Sequence, residues 1–174
     1  MGLYSKLNKI ELKGRGETSL FNGERISKNS TLINFIGTVD ELNSHLGLVK
    51  ALLSAENQGE DHRQFIEEIQ KNLMKLMSHV SDTSDERYFF NQNDVIVLEK
   101  EIGRLSAKLP KQSKFVIPGH NVFETQIHIA RTVARRAERS FFAVDELRLC
   151  QYSGIFLNKL SDYLFLLSQN FTII

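Results

Sequence analysis

Residues 130–139 read ARTVARRAER, four arginines in ten positions, in a chain whose 22 lysines and arginines nearly cancel its 21 aspartates and glutamates. On a helix, His128, Arg131, Arg135 and Glu138 lie three or four residues apart and form one polar stripe, while Ile127, Val133, Ala137, Phe141 and Val144 fall where they can face a core. A planar guanidinium fork holds two oxygens at once, so clustered arginines with little compensating acid suit a polyphosphate. The competing reading is an ordinary solvated face with an intrahelical Arg135–Glu138 pair. Against it, the stripe lacks interleaved acids and follows a glycine-containing entry loop, PGHN.

Other chemistries find less support. Gly14, Gly16 and Gly23 can let backbone N–H groups approach a phosphate, but neither G-x-x-x-x-G-K-[ST] nor G-x-G-x-x-G is present, which excludes a P-loop or dinucleotide fold. Glu41/His45 and Glu124/His128 are four apart rather than the Glu-x-x-His of a di-iron bundle, so no side-chain metal site is expected. Cys150 is the single cysteine, pairs with no histidine in the sequence and forms no internal disulfide, which points to a reducing, cytoplasmic compartment. The near-neutral charge gives no general attraction to nucleic acid, and the longest apolar runs, such as YLFLL, are too short for a bilayer. Lys6 stands where a myristoylation signal needs Ser or Thr.

The elements that must position these residues are helical. With 174 residues, 41% of them hydrophobic, the chain fits one domain with a substantial core. Residues 1–36 read as a glycine-containing arm with short extended pieces such as TLINFI, and residues 37–170 as the bundle. Thr38 with Glu41 offers a capping box for a first helix reaching about Ala55. A second helix runs through FIEEIQKNLMKLMSHV, and a third runs from a cap at Asn91 or Asn93 toward Pro110. Asn121 with Glu124 opens a fourth reaching about Leu147, and Ser153 or a neighbour opens a fifth. The expected fold class is all-α, a five-helix bundle.

Three separated blocks, in order, resemble the PduO-type ATP:cob(I)alamin (corrinoid) adenosyltransferases over about residues 8–170. They are TSLFNGERISK with GTVDELNSHLG, FVIPGHN with HIARTVARRAER, and FLNKLSDYLF. The resemblance implies a homotrimer with its active site between subunits, and ATP, Mg²⁺ and cob(I)alamin, the last as substrate, with a cobalamin reductase and a B12-dependent enzyme as further partners. It implies that cobalt attacks the 5′-carbon of ATP and that triphosphate leaves. Under it, Arg131, Arg135 and Phe115 are the catalytic positions, Phe115 crowding the lower face of the corrin. ATP contacts fall on Ile10, Glu11, Leu12, Lys13, Thr18, Ser19, Lys28, Arg135, Arg136, Ala137, Glu138, Arg139 and Asn158. Asp40 and Arg131 correspond to a pair formed across the subunit interface.

The chain departs from the family pattern in places. Where the family arm reads roughly T-x-T-G-D-x-G-x-T, residues 10–18 read IELKGRGET, so Ile10, Leu12, Lys13 and Gly14 replace two threonines, a glycine and an aspartate. Hydroxyls and a carboxylate suited to phosphate and the Mg²⁺ shell are thereby lost. Met77 replaces a small residue in the second helix, and His120 replaces the second glycine of PGG. Two other functions therefore stand beside the transferase: a non-catalytic member that binds corrinoid or nucleotide as carrier or regulator, and a structural trimer that binds neither.

Overall fold

Apolar residues recur at Leu32, Phe35, Val39, Leu42, Leu46, Val49 and Leu53, alternating by three and four, so a helix that buries one tends to bury all. The computed structural model of the chain describes residues 16–53, 59–110 and 115–171. In it these side chains form one uninterrupted buried stripe along α1, Thr31–Leu53. The expected start at Thr38 is thus corrected: TLINFI is helical, and the arm gives way to helix at residue 31 rather than 37. The Ser30 hydroxyl accepts from the Ile33 N–H at 3.3 Å, which is the capping contact. Thr38 lies inside the helix, its hydroxyl donating back to the Asn34 carbonyl at 2.8 Å.

Four more helices follow among the described residues: α2 Glu60–Ser81, α3 Gln92–Ser106, α4 Val122–Phe141 and α5 Gln151–Asn170. α2 begins a turn earlier than FIEEIQ suggests, with Glu60 and Asp61 placed favourably in its first turn and His62 already on the buried side. Asn91 and Asp94 form a capping box that starts α3. α4 ends at Phe141, not near Leu147. The N–H groups of Ala143 and Val144 turn back to the carbonyls of Ser140 and Phe141, at 3.2 and 3.0 Å, and a separate 3₁₀ turn spans Glu146–Arg148. Val144 stays buried, so the apolar period outlasts the helix. α5 starts after Cys150, two residues ahead of Ser153.

The helices pack in the order α2, α1, α4, α5, α3. The Lys75–Asp94 contact at 2.8 Å and the Phe65–Tyr163 ring pair at 5.2 Å tie α2 to α3 and α5. α1 and α4 run antiparallel, with Phe35 against Phe141 at one end and His45 against Gln126 toward the other. Ahead of α1, β1 Glu17–Ser19 pairs antiparallel with β2 Arg25–Ser27, in register Thr18 opposite Ile26. Gly23 closes the turn at φ 85°, a backbone region that side-chain-bearing residues rarely adopt. The hairpin is pinned by buried Leu20, by Arg148 donating to Glu24 at 2.7 Å, and by Phe21 edge-on to Tyr88. Among the described residues no helix is long and apolar enough to cross a membrane.

The α4–α5 contact depends on a missing side chain. A Cβ on Gly154 would meet a ring carbon of Phe141 at 2.9 Å, and that ring is wedged against Phe35. Overpacking of this kind costs about 1–3 kcal/mol, against about 1 kcal/mol of helix propensity gained. Gly154→Ala is therefore expected to lower the melting temperature, at about 2–4 °C per kcal/mol for a chain of this size, as followed by circular dichroism. A melting temperature equal to or above wild type would show that the contact relaxes freely.

Candidate functional site

The two faces of α4 create the site. Ile127, Ala130, Val133, Ala134, Ala137 and Phe141 are buried among the core residues, so the helix cannot rotate without exposing them. That register leaves Arg131 half-buried and Arg135, Arg136 and Arg139 exposed. Ala137 falls on the core side, so this alanine sets spacing within ARRAER and its side chain does not line the exposed surface.

The arginines have unequal surroundings. Arg136 is paired with Glu41 of α1. Glu138 does not pair with Arg135: it accepts a hydrogen bond from Asn158 Nδ2 of α5 at 2.7 Å, which brings two sequence-predicted residues together. Among the described residues Arg135 and Arg139 make neither a salt bridge nor a side-chain hydrogen bond. Arg135 acts on Arg131 by repulsion, and together with burial, the larger cause, this lowers the Arg131 pKa below its ordinary value. The intrahelical pair of an ordinary charged face is thus not formed, and two cations remain available.

The arm reaches the same end of the bundle, because β2 leads directly into α1 and the start of α1 packs beside the end of α4. Thr18 sits in β1, Ser19 and Lys28 are exposed, and the Lys28 N–H donates to the Gly16 carbonyl at 2.8 Å. Ile10, Glu11, Leu12 and Lys13 lie outside the described residues. Phe115 belongs to the loop entering α4 at its other end and is fully exposed. From Val122 to Arg136 the helix rises about 20 Å. One chain therefore carries its corrinoid-side and phosphate-side candidates at opposite ends of α4. Asp40 is exposed on α1 and, among the described residues, is not paired with Arg131.

Arg131 instead donates from Nε to His128 Nδ1 at 3.2 Å, and His128 Nε2 faces Glu124 Oε1 at 2.9 Å. Glu124 is fully buried, and its Oε2 accepts the N–H groups of Gly119 and His120 at 3.1 and 3.2 Å. The sequence presents Glu124 only as a capping partner and half of a failed metal motif. Its position three residues before Ile127, in the core register, is the signal that its carboxylate turns inward. A cleft of about 370 Å³ lies between the hairpin tip and residues 82–84 and 145–148. Glu24, Asp82 and Asp145 line it, and its Arg148 is already paired with Glu24, so it repels rather than receives triphosphate.

A family model described as cobalamin adenosyltransferase matches residues 11–170. The chain belongs to the cobalamin adenosyltransferase family. Within it, the chain is 36% identical over 168 residues to a cobalamin adenosyltransferase of Cupriavidus metallidurans, covering 95% of this chain and 89% of that protein. It is 34% identical over 159 residues to the corrinoid adenosyltransferase PduO of Salmonella typhimurium, covering 88% of this chain but only 46% of that longer protein. A variant of the PduO-type ATP:corrinoid adenosyltransferase from Lactobacillus reuteri, solved with cobalamin and ATP, superposes with a TM-score of 0.82 at 28% identity, covering 94% of this chain and 89% of that one.

Burial also makes the fold sensitive to acid. His62, His79 and His128 are buried, and burial is the first cause lowering each pKa below its ordinary value near 6.5. The unfolded chain takes up these protons first as pH falls through about 6.5, so stability falls with pH there, by up to about 1.4 kcal/mol per pH unit for each histidine. Melting temperatures between pH 8 and pH 5.5 should be level at the alkaline end and decline below about pH 6.5. His128→Gln should show a shallower decline, whereas a flat profile for wild type would contradict neutral burial.

Proposed function

We propose that the chain transfers the 5′-deoxyadenosyl group of ATP to the cobalt of cob(I)alamin, releasing triphosphate, at a site completed between subunits of a homotrimer in the cytoplasm. The observation that carries this reading is the pair of exposed, unneutralised guanidinium groups, Arg135 and Arg139, beside the Glu138–Asn158 contact. The named activities of relatives aligned over most of the chain support it.

The nucleophile arrives with the corrinoid substrate, so the protein needs no general base. A cobalt–carbon bond forms at the 5′-carbon as the carbon–oxygen bond breaks, and the bonding pair leaves with triphosphate. The departing oxyanion gains charge, which Arg135 and Arg139 are placed to stabilise. Glu138 holds Asn158 in a fixed orientation toward the nucleotide, and Arg136, tied to Glu41, shapes the rim. Thr18, Ser19 and Lys28 approach the phosphates from the arm. Phe115 offers an uncovered ring to the lower face of the corrin. Mg²⁺ would enter with ATP and would supply further positive charge to the triphosphate, beside Arg135 and Arg139.

A non-catalytic role is favoured by one observation, the loss of hydroxyl and carboxylate groups at Ile10, Leu12 and Gly14. Conversion of cob(I)alamin to adenosylcobalamin, with ATP calorimetry with and without Mg²⁺, separates the readings. Turnover establishes the transferase, binding without turnover the carrier, and no binding the structural trimer.

Arg135→Ala removes a charge-assisted contact worth about 1.5–3 kcal/mol and should lower kcat/KM for ATP about ten- to hundred-fold with the fold intact, since the side chain is exposed. Unchanged kinetics would refute its role. Asp40→Ala tests the trimer. If Asp40 meets Arg131 of another copy, its loss leaves a half-buried guanidinium unpaired and costs about 3–5 kcal/mol, against about 0.5 kcal/mol or less for an exposed side chain in mid-helix, too far from the α1 start to act on the helix dipole. Sedimentation should show dissociation; an intact trimer with a nearly unchanged melting temperature would refute the cross-subunit pair.

A further inference from the structure

Glu124 is the one acid wholly enclosed among the described residues, and the adenosyl-transfer reading assigns it no task. A buried carboxylate is unfavourable unless its oxygens are engaged. Those of Glu124 serve different partners. Oε2 accepts the N–H groups of Gly119 and His120, with a longer contact from the Thr125 hydroxyl at 3.3 Å, and so fixes the loop that carries Phe115 a few residues earlier. Gly119 adopts φ 120° there, so the loop is held in a conformation few residues favour. Oε1 faces His128 Nε2 at 2.9 Å, off the line of the ring N–H, and neither atom has a hydrogen-bond partner elsewhere among the described residues.

The other ring nitrogen completes the argument. Nδ1 accepts from Arg131 Nε at 3.2 Å, so it carries no proton, and the neutral ring keeps its proton on Nε2, the nitrogen 2.9 Å from Oε1, where the carboxylate charge attracts it without an aligned hydrogen bond. The carboxylate therefore favours the tautomer that lets His128 hold Arg131. Held through Nε, Arg131 keeps both terminal nitrogens for a partner. Glu124, His128, Arg131 and Arg135 follow one another at spacings of four, three and four along α4, linking the Phe115 loop to the phosphate-side arginine.

We propose that Glu124 is a positioning residue for both halves of the site: one oxygen presents the Phe115 loop to the corrinoid, and the other sets the His128 tautomer that orients Arg131. This rests on the adenosyl-transfer reading for its kinetic consequences, but not for its structural ones.

The test compares Glu124→Gln with Glu124→Ala in the full chain. In Glu124→Gln the amide oxygen still accepts from the loop, while the amide N–H₂ faces Nε2, moves the ring proton to Nδ1 and sets donor against donor at Arg131. Nitrogen-15 spectra should show His128 protonated on Nε2 in wild type and on Nδ1 in Glu124→Gln. Amide exchange at Gly119 and His120 should stay slow in the Gln variant and quicken at least about ten-fold in Ala. The KM for ATP should rise about ten-fold or more in Gln, with the cob(I)alamin KM within about two-fold of wild type; in Ala both should rise. An unchanged tautomer in Gln, slow exchange at both amides in Ala, or unchanged kinetic constants despite the spectral shift would each overturn the proposal. If Ala does not fold, Gln decides alone, and an equal rise in both KM values defeats the division of labour. If wild type transfers no adenosyl group, the functional reading fails by itself, and the spectra and exchange rates still decide the roles of the two oxygens.

Discussion

The apolar face of α4, seated against α1 and α5, is the constraint from which the rest of the site follows. At 100° per residue a helix cannot turn its charged stripe independently of its apolar one. Burying Ile127, Ala130, Ala134, Ala137 and Phe141 therefore fixes where Arg131, Arg135 and Arg139 stand. Burial of each large side chain contributes about 1.5–3 kcal/mol, whereas an exposed ion pair contributes about 1 kcal/mol or less. Packing thus outweighs charge in deciding the orientation of the arginines. Repulsion between Arg131 and Arg135 is tolerated because the core dictates the register.

That register gives α4 two unlike ends. Near its start a buried carboxylate accepts from two backbone N–H groups through one oxygen and faces a buried histidine with the other. Near its end, exposed guanidinium groups lie where α1 begins and where the hairpin joins the bundle. The first arrangement favours order and the second leaves positive charge for an incoming anion, as the proposed release of triphosphate requires. The helix is about 30 Å long, so Phe115 and Arg139 of one copy stand at opposite ends of it. The proposed site shared between copies would bring unlike ends together, and the exposed Asp40 and half-buried Arg131 fit that proposal.

Among the described residues the hairpin is attached by buried Leu20, by Ile26 packed against the core, by an ion pair through Arg148 and by an aromatic edge. Its backbone ladder, rather than its side chains, presents Thr18 and Ser19. Backbone N–H groups survive any substitution other than proline, so the proposed phosphate contacts of the arm need not depend on the threonines of the family pattern that Ile10 and Leu12 replace.

Much of this was legible in the sequence, for a physical reason. The alternation of buried and exposed positions along α4, the caps at Asn91 and Asn121, the five-helix count and the family blocks are all local patterns, and local patterns are written in residue spacing. Where local signals competed, the sequence could mislead. Thr38 with Glu41 has the form of a capping box, but the apolar period through Leu32 and Phe35 carries the helix past it, and Ser30 caps instead. Val144 keeps the apolar period although α4 has ended, because a buried side chain does not require a helix. What only the tertiary structure decided were pairings across the chain: Asn158 with Glu138, Arg136 with Glu41, Arg148 with Glu24. The same holds for the inward turn of Glu124, since whether a carboxylate meets solvent or a loop's N–H groups depends on where the chain returns. Spacing along one helix says which residues share a face; it does not say what that face meets.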